Sequence, residues 1–200
     1  MAKINHEESK SEGKLYMIRV DEGDQTRISQ GDIYKDIEYI EYVFEKDGYI
    51  EISKIIFPLV VVLTQDCDLA QDFKFREATD KTKDKILFSV LVAPMYNADD
   101  VFNGTHLDDI YEQEKSMESI PRKTPGKFLK QNERCRYHYL EFPEDTPIVP
   151  AIIDFKHYFS ININQLLSCR KEHFVCRMSE LYREDLSLRF ANFLSRIGLP

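Results

Sequence analysis

The run Leu59-Val60-Val61-Val62-Leu63, entered through Pro58, limits the fold of this chain more than any other stretch. It is short, unbroken and rich in β-branched residues. That is the pattern of a central strand buried on both faces, where neither side leaves room for a polar residue. It runs directly into Thr64-Gln65-Asp66-Cys67-Asp68, so polar groups collect at what reads as the strand's exit. Strand ends and loops on a rigid sheet are frequent places for function. Gln65, Asp66, Cys67 and Asp68 are therefore the candidate binding residues, and no catalytic set is assigned.

Other strands can be placed around that one. Ser29-Gln30-Gly31-Asp32-Ile33 reads as a turn entering a strand, with Gly31 free to take positive φ. Tyr39–Glu45 and Tyr49–Ile52 flank Lys46-Asp47-Gly48, and Asp-Gly between strand-like runs is a strong hairpin signal. Residues 86–93 form a second apolar strand closed by Pro94, and 136–142, 148–155 and 157–163 supply three more. Leu15–Val20 is a further candidate. Residues 70–85 are charged without clear periodicity and read as a loop with at most a helical turn. Residues 97–131 form a long polar segment of the kind that is usually an insertion, a lid or a disordered loop, with a candidate helix over Leu107–Glu118 inside it. From Ser179 to Ile197 the spacing predicts an amphipathic helix. Leu186, Phe190, Phe193, Leu194 and Ile197 share its apolar face, Ser179 is the N-cap and Gly198 the C′ residue.

These elements predict a mainly β fold with added helix (β+α). The expected form is a small, strongly bent, SH3-like antiparallel barrel spanning residues 15–200 behind a polar tail at 1–14. The insertion 97–131 interrupts the barrel, and the helix 179–197 covers an open edge that would otherwise invite aggregation.

Composition narrows the function. A formal charge of -8 opposes general nucleic-acid binding, which requires a basic surface or patch. No stretch approaches the length of a membrane span, and residues 1–14 lack the apolar core of a signal peptide. A cytoplasmic protein is expected, with its cysteines as thiols rather than disulfides.

Gly31-Asp32-Ile33, the hairpin, Phe57 to Thr64 and Val90-Leu91-Val92-Ala93-Pro94 together resemble the strand framework of the MazF/PemK-like toxins. The resemblance implies an SH3-like barrel, and in that family the barrel cleaves messenger RNA. The family's catalytic Arg before the proline is replaced here by Phe57, and the catalytic Thr after the later proline by Met95 and Tyr96. Neither Phe nor Met stabilises a pentavalent phosphate or moves a proton, and a scaffold alone does not carry its family's function. Thr64–Leu69 together with Arg196-Ile197-Gly198-Leu199-Pro200 is also similar to a pattern in bacterial proteins of unassigned activity.

The chemistry candidates weigh as follows. Asp66 and Asp68 beside Cys67 disfavour its thiolate, so a small buried Cys is the simpler reading than a nucleophile. The two carboxylates supply too few ligands for a divalent ion unless Asp32, Asp72 or Asp154 joins them. Cys169, His173 and Cys176 form a Cys-x3-His-x2-Cys cluster that Cys135 or His138 would complete for zinc, but the spacing lacks the paired Cys-x2-Cys of a knuckle. No cofactor is expected. His138 and His157 read as packed histidines. Tyr39, Tyr42, Phe44 and Tyr49, with Tyr137 and Tyr139, suggest a stacking platform, although in regular strands their spacing does not put them on one face. Arg134, Arg136, Arg170, Lys171 and Arg177 form the basic cluster near it. Two functions follow: a non-catalytic bacterial accessory protein that binds a partner protein, or a divergent toxin-like endoribonuclease or RNA-binding protein.

Overall fold

Asp47 and Gly48 both adopt positive φ, 53° and 81°, the geometry of a tight hairpin turn whose twist matches its strands. From it run the two longest strands among the described residues, β2 (Asp32–Lys46) and β3 (Tyr49–Val62), paired antiparallel along nearly their whole length. The hairpin signal in the sequence is therefore real, and the strands extend well beyond it. The computed structural model describes residues 20–21, 26–78, 83–108, 110 and 125–196. The expected tail 1–14 and most of the expected helix at 107–118 lie outside the described residues.

Strand β4 (Ser89–Asn97) pairs with β3 through Val92–Pro94 along one edge. Along the other edge its first half pairs with β7 (Phe159–Asn162) and its last residues with β6 (Ala151–Asp154). A single 3-10 turn, Phe155–His157, lets the chain pass from β6 to β7. β5 (Tyr137–Leu140) flanks β6, while β8 (Phe174–Met178) and the short β1 (Val20–Asp21) extend the other side. The strand order β1-β8-β2-β3-β4-β6-β5 is an open path. The fold is thus mainly antiparallel β with several helices, and the closure expected of a barrel is not made among the described strands.

Val60, Val61 and Val62 are wholly buried, as a central strand between two covered faces requires. Val61 and Leu63 join a core with Ile33, Phe155, Met178 and the terminal-helix residues Leu186, Phe190 and Phe193. Val60 and Val62 join another with Tyr34, Leu69, Ile163 and Leu166. A third, smaller core gathers Tyr96, Val101, Leu129, Tyr137, Tyr139 and Ile152.

Five helices are described. The segment read as a loop at 70–85 instead begins with α1 (Asp66–Phe75). Its buried face includes Asp72, whose carboxylate binds Arg76 at 3.0 Å and the Leu87 N–H at 2.7 Å, so an apolar periodicity never showed. Within the expected insertion β4 continues to Asn97 and is followed by α2 (Ala98–Asn103) and α3 (Pro125–Lys130). Helix α4 (Ile163–His173), capped by the Asn162 side chain, and β8 were not foreseen. The terminal helix α5 runs Glu180–Leu194 behind Ser179, shorter than 179–197. Leu194 is exposed rather than on the buried face, and Ile197 and Gly198 lie outside the described residues.

Candidate functional site

At the exit of β3 several polar groups are engaged within the fold. Thr64 Oγ1 accepts the Leu91 N–H at 2.7 Å, and Gln30 Nε2 donates to the Leu63 carbonyl at 3.0 Å. The chain turns into α1 at once, so the strand-like alternation expected through Asp68 does not apply. Gln65 is the N-cap residue, and Asp66 and Asp68 lie in the first turn, where carboxylates favour the helix dipole. Cys67 is exposed, not buried. Gln65 and Asp68 are also exposed, while Asp66 turns inward to Arg27 at 2.9 Å and Arg183 at 3.4 Å. Partial burial pushes the Asp66 carboxyl up, but Arg27, the Gln30 N–H and Arg183 outweigh it and hold it below the usual carboxylate range.

Beside this lies a second arginine-bound carboxylate. Asp32, fully buried, accepts from Arg170 at 3.0 Å, from Arg177 at 2.5 Å and from the Ser29 N–H at 2.9 Å. Burial, with Asp32 adding to it, raises the Tyr34 phenol. Gly31, at φ 75°, makes the approach possible: a Cβ there would fall 2.7 Å from Arg183 Cγ. Asp32, Asp66, Asp72 and Asp154 are thus all bound to arginine. Three of the five members of the expected basic cluster, Arg136, Arg170 and Arg177, are occupied in the same way.

Cys169, His173 and Cys176 do not converge as ligands. Cys169 Sγ meets the Leu166 carbonyl, His173 Nδ1 lies 2.8 Å from the Lys35 carbonyl oxygen, and Cys176 is buried with its thiol pushed up to about 12 by desolvation. Among the described residues no group of three or more His, Cys, Asp or Glu side chains is arranged to hold a metal ion.

The candidate site lies instead at the hairpin. Beyond Tyr34, β2 has no partner but β3, and before Val60, β3 has no partner but β2, among the described strands. The outer parts of both strands therefore form a projecting two-stranded arm. A register shift between Ile40 and Tyr42 places Glu41 in a bulge. Because Tyr39 pairs with Ile55 and Tyr42 with Ser53, the bulge brings Tyr39, Tyr42, Phe44 and Tyr49 onto one face after all. The Tyr42 and Phe44 rings lie 5.6 Å apart there. The opposite face carries Ile40, Val43, Ile50, Ile52 and Ile56. All these side chains are exposed, up to 76% for Tyr49 and 73% for Ile50. Contiguous exposed apolar surface of this kind marks a binding surface. Tyr137 and Tyr139, by contrast, are buried in the third core.

At the arm's foot are two neighbouring clefts, of about 530 and 380 Å³, which share Tyr96 and Ile110. Tyr96 Oη lies 3.1 Å from His157 Nδ1, and Asp154 Oδ2 lies 3.4 Å from the same nitrogen, so both contacts hold one side of the ring. Asp154 is itself gripped by Arg136. The Tyr96 ring meets His106 edge-on at 4.9 Å. His106 is only 9% exposed, and neither of its ring nitrogens has a partner among the described residues. Burial lowers both imidazoles below their ordinary value, against the opposing pull of Asp154. His157 is half-buried, makes both contacts through Nδ1 and lines a cleft. Nothing in the sequence linked Tyr96, His106 and His157, which meet only through the β6–β7 turn and the stretch after α2.

No protein-family model, no curated protein and no solved structure matches this chain. No helix among the described residues is long and apolar enough to cross a membrane.

Proposed function

We propose that the chain is a non-catalytic accessory protein of the bacterial cytoplasm that binds a partner protein through the β2–β3 arm. The observation that carries this reading is the arm itself, a hairpin with large apolar side chains exposed on both faces and with edges that no other described strand pairs. An isolated two-stranded ribbon has little stability of its own, and a partner that adds to an edge or covers a face supplies the missing contacts. A strongly bent, SH3-like scaffold related to the MazF/PemK-like toxins is part of the proposal. The Gly31-Asp32-Ile33 entry, the β2–β3–β4 meander and the bulge at Glu41 support it. The residues where those toxins hold their catalytic Arg and Thr, Phe57 and Met95, are buried apolar groups.

The test is comparative capture. Wild-type protein and a Val43→Lys/Ile52→Lys variant, both lying on the exposed face, are used as baits at equal stability. A defined partner retained by the first and lost by the second supports the reading. Identical capture by both defeats it.

One observation favours the toxin-like ribonuclease as a second reading: His157, fixed by Asp154 and Tyr96 in a cleft, has the setting of a general base. Cleavage of mixed RNA with magnesium that disappears in His157→Ala would establish it; absence of cleavage would remove it.

A further inference from the structure

The smaller cleft is lined by Tyr39, Phe57, Tyr96, His157, Tyr158 and Phe159, with Glu41 and the aliphatic Ile55, Leu107 and Ile110 completing it. Phe159 sits at the centre of this wall, 5.0 Å from both the Tyr39 and the Phe57 ring centroids. Aromatic rings around a space of this size, with a single acid at the rim, make a poor site for an anion and a good one for an organic cation. The ring quadrupoles attract positive charge and the carboxylate neutralises it. Glu41 reaches the rim because it is the bulged residue, and its Oε2 accepts from Ser53 Oγ at 2.8 Å, which fixes its direction. The Arg136 guanidinium is bound to Asp154. Burial lowers the His157 imidazole below its ordinary value, and no Lys or Arg is among the described residues that line the cleft.

We propose that this cleft is an aromatic cage that takes an alkylammonium or guanidinium group, supplied by a Lys or Arg side chain of the partner protein that lies along the arm. The source of the cation rests on the reading of the arm as a partner-binding element. The cage stands on its own geometry. The rest of the arm agrees in charge, since Glu38, Glu41, Glu45, Asp47 and Glu51 outnumber Lys46 and Lys54. A second copy of this acidic chain is a poorer fit than a basic segment.

The test uses the full chain and small probes: n-butylammonium, n-butylguanidinium and tetramethylammonium ions, with 3,3-dimethyl-1-butanol as the neutral control. Aromatic NMR shifts are followed during titration. Saturable shifts of Tyr39, Tyr158 and Phe159 with at least one cation, and none with the neutral control, are expected. Tyr39→Leu weakens binding at least tenfold and Glu41→Gln several-fold. Both substitutions are at accessible positions, and melting curves check that the fold is kept. Equal binding of the neutral control, no shift with any cation, or full binding by Glu41→Gln overturns the cage.

Two short peptides, one carrying Lys or Arg between apolar residues and one with Gln in its place, decide the source. Preference for the basic peptide over the free ions supports a partner side chain; preference for the free ions overturns that part. The Val43→Lys/Ile52→Lys variant keeps the cage residues, so it keeps cation binding whether or not it loses partner capture. Failure of the arm reading and failure of the cage are therefore separately visible.

Discussion

The two ends of one hairpin behave as different materials. At the foot, Ile33, Tyr34, Val60 and Val61 are fully buried between helices, and Asp32 anchors the strand to α4 and β8 through arginines. Toward the tip the same two strands keep their pairing but lose every covering layer, and the side chains stay apolar. Pairing alone therefore does not decide burial. The covering helices do, and where they stop the sequence continues to supply residues that require cover. Apolar residues retained without a core to enter argue for a surface that is completed by something else.

The sharpest way to break this comparison is to place one charge at each end. Leu63→Asp leaves an unpaired carboxylate in the core shared with Phe155 and Phe193, and should cost on the order of 4 kcal/mol, enough to unfold a domain of ordinary stability. Ile52→Asp, more than half exposed on the arm, should stay within about 0.5 kcal/mol of the parent. Thermal melts decide: equal destabilisation by the two would mean that the arm is covered. Next in size is Asp32→Ala. It leaves the buried Arg170 and Arg177 without their carboxylate and should cost about 3–5 kcal/mol, seen as a lower denaturation midpoint. A near-neutral result would show that the network does not hold the foot.

A smaller effect separates the ends by pH. His138 is buried, close to Phe155 with Nε2 3.3 Å from Asp185, and burial lowers its pKa despite that carboxylate. The unfolded chain protonates it near the ordinary 6.5, and the folded chain only at lower pH. Its contribution is therefore fully present above that value and is lost as pH falls below it toward the folded pKa. Hydrogen exchange at pH 5.5 against pH 7.5, corrected for intrinsic rates, should show protection falling at the foot. His138→Phe, which has no proton to take up, should remove part of that fall. An unchanged pH response in the variant would rule His138 out.

What was legible in the sequence follows the same division. The valine run is buried on both faces because it carries no other information: every side chain demands cover. Asp47-Gly48 fixed its turn because few other pairs reach positive φ at both positions. The misreadings arise where charge is buried or phase is broken. Helix α1 was hidden because its inward face uses Asp72 and Arg76. The polar string from Gln65 to Asp68 read as a continuing strand because a helix start and a loop rich in carboxylates have the same composition. Strict alternation splits the arm's aromatic residues between two faces, and one bulged residue brings them onto one. No single-sequence signal marks such a bulge. Nor does any signal bring Tyr96 to His157 across the intervening insertion.

The smallest predicted effect is the most specific to the arm. Gly48 has no heavy atom within 4 Å of the position a Cβ would occupy, so Gly48→Ala meets no steric obstacle. Its φ of 81° is nevertheless unfavourable for any side chain, at about 1 kcal/mol. In the buried foot a strain of that size would be shared with the whole cooperative unit. At the tip there is no core to share it, so the arm should open locally while global stability holds. The expected result is faster amide exchange confined to residues near the turn, roughly 38–54, with foot amides around Val60–Val62 and the melting midpoint unchanged. If the foot amides accelerate equally, the hairpin is one cooperative element and the division between its ends is not energetic. If neither changes, the arm is already held by contacts beyond its own pairing, and the exposed faces are not free to receive a partner.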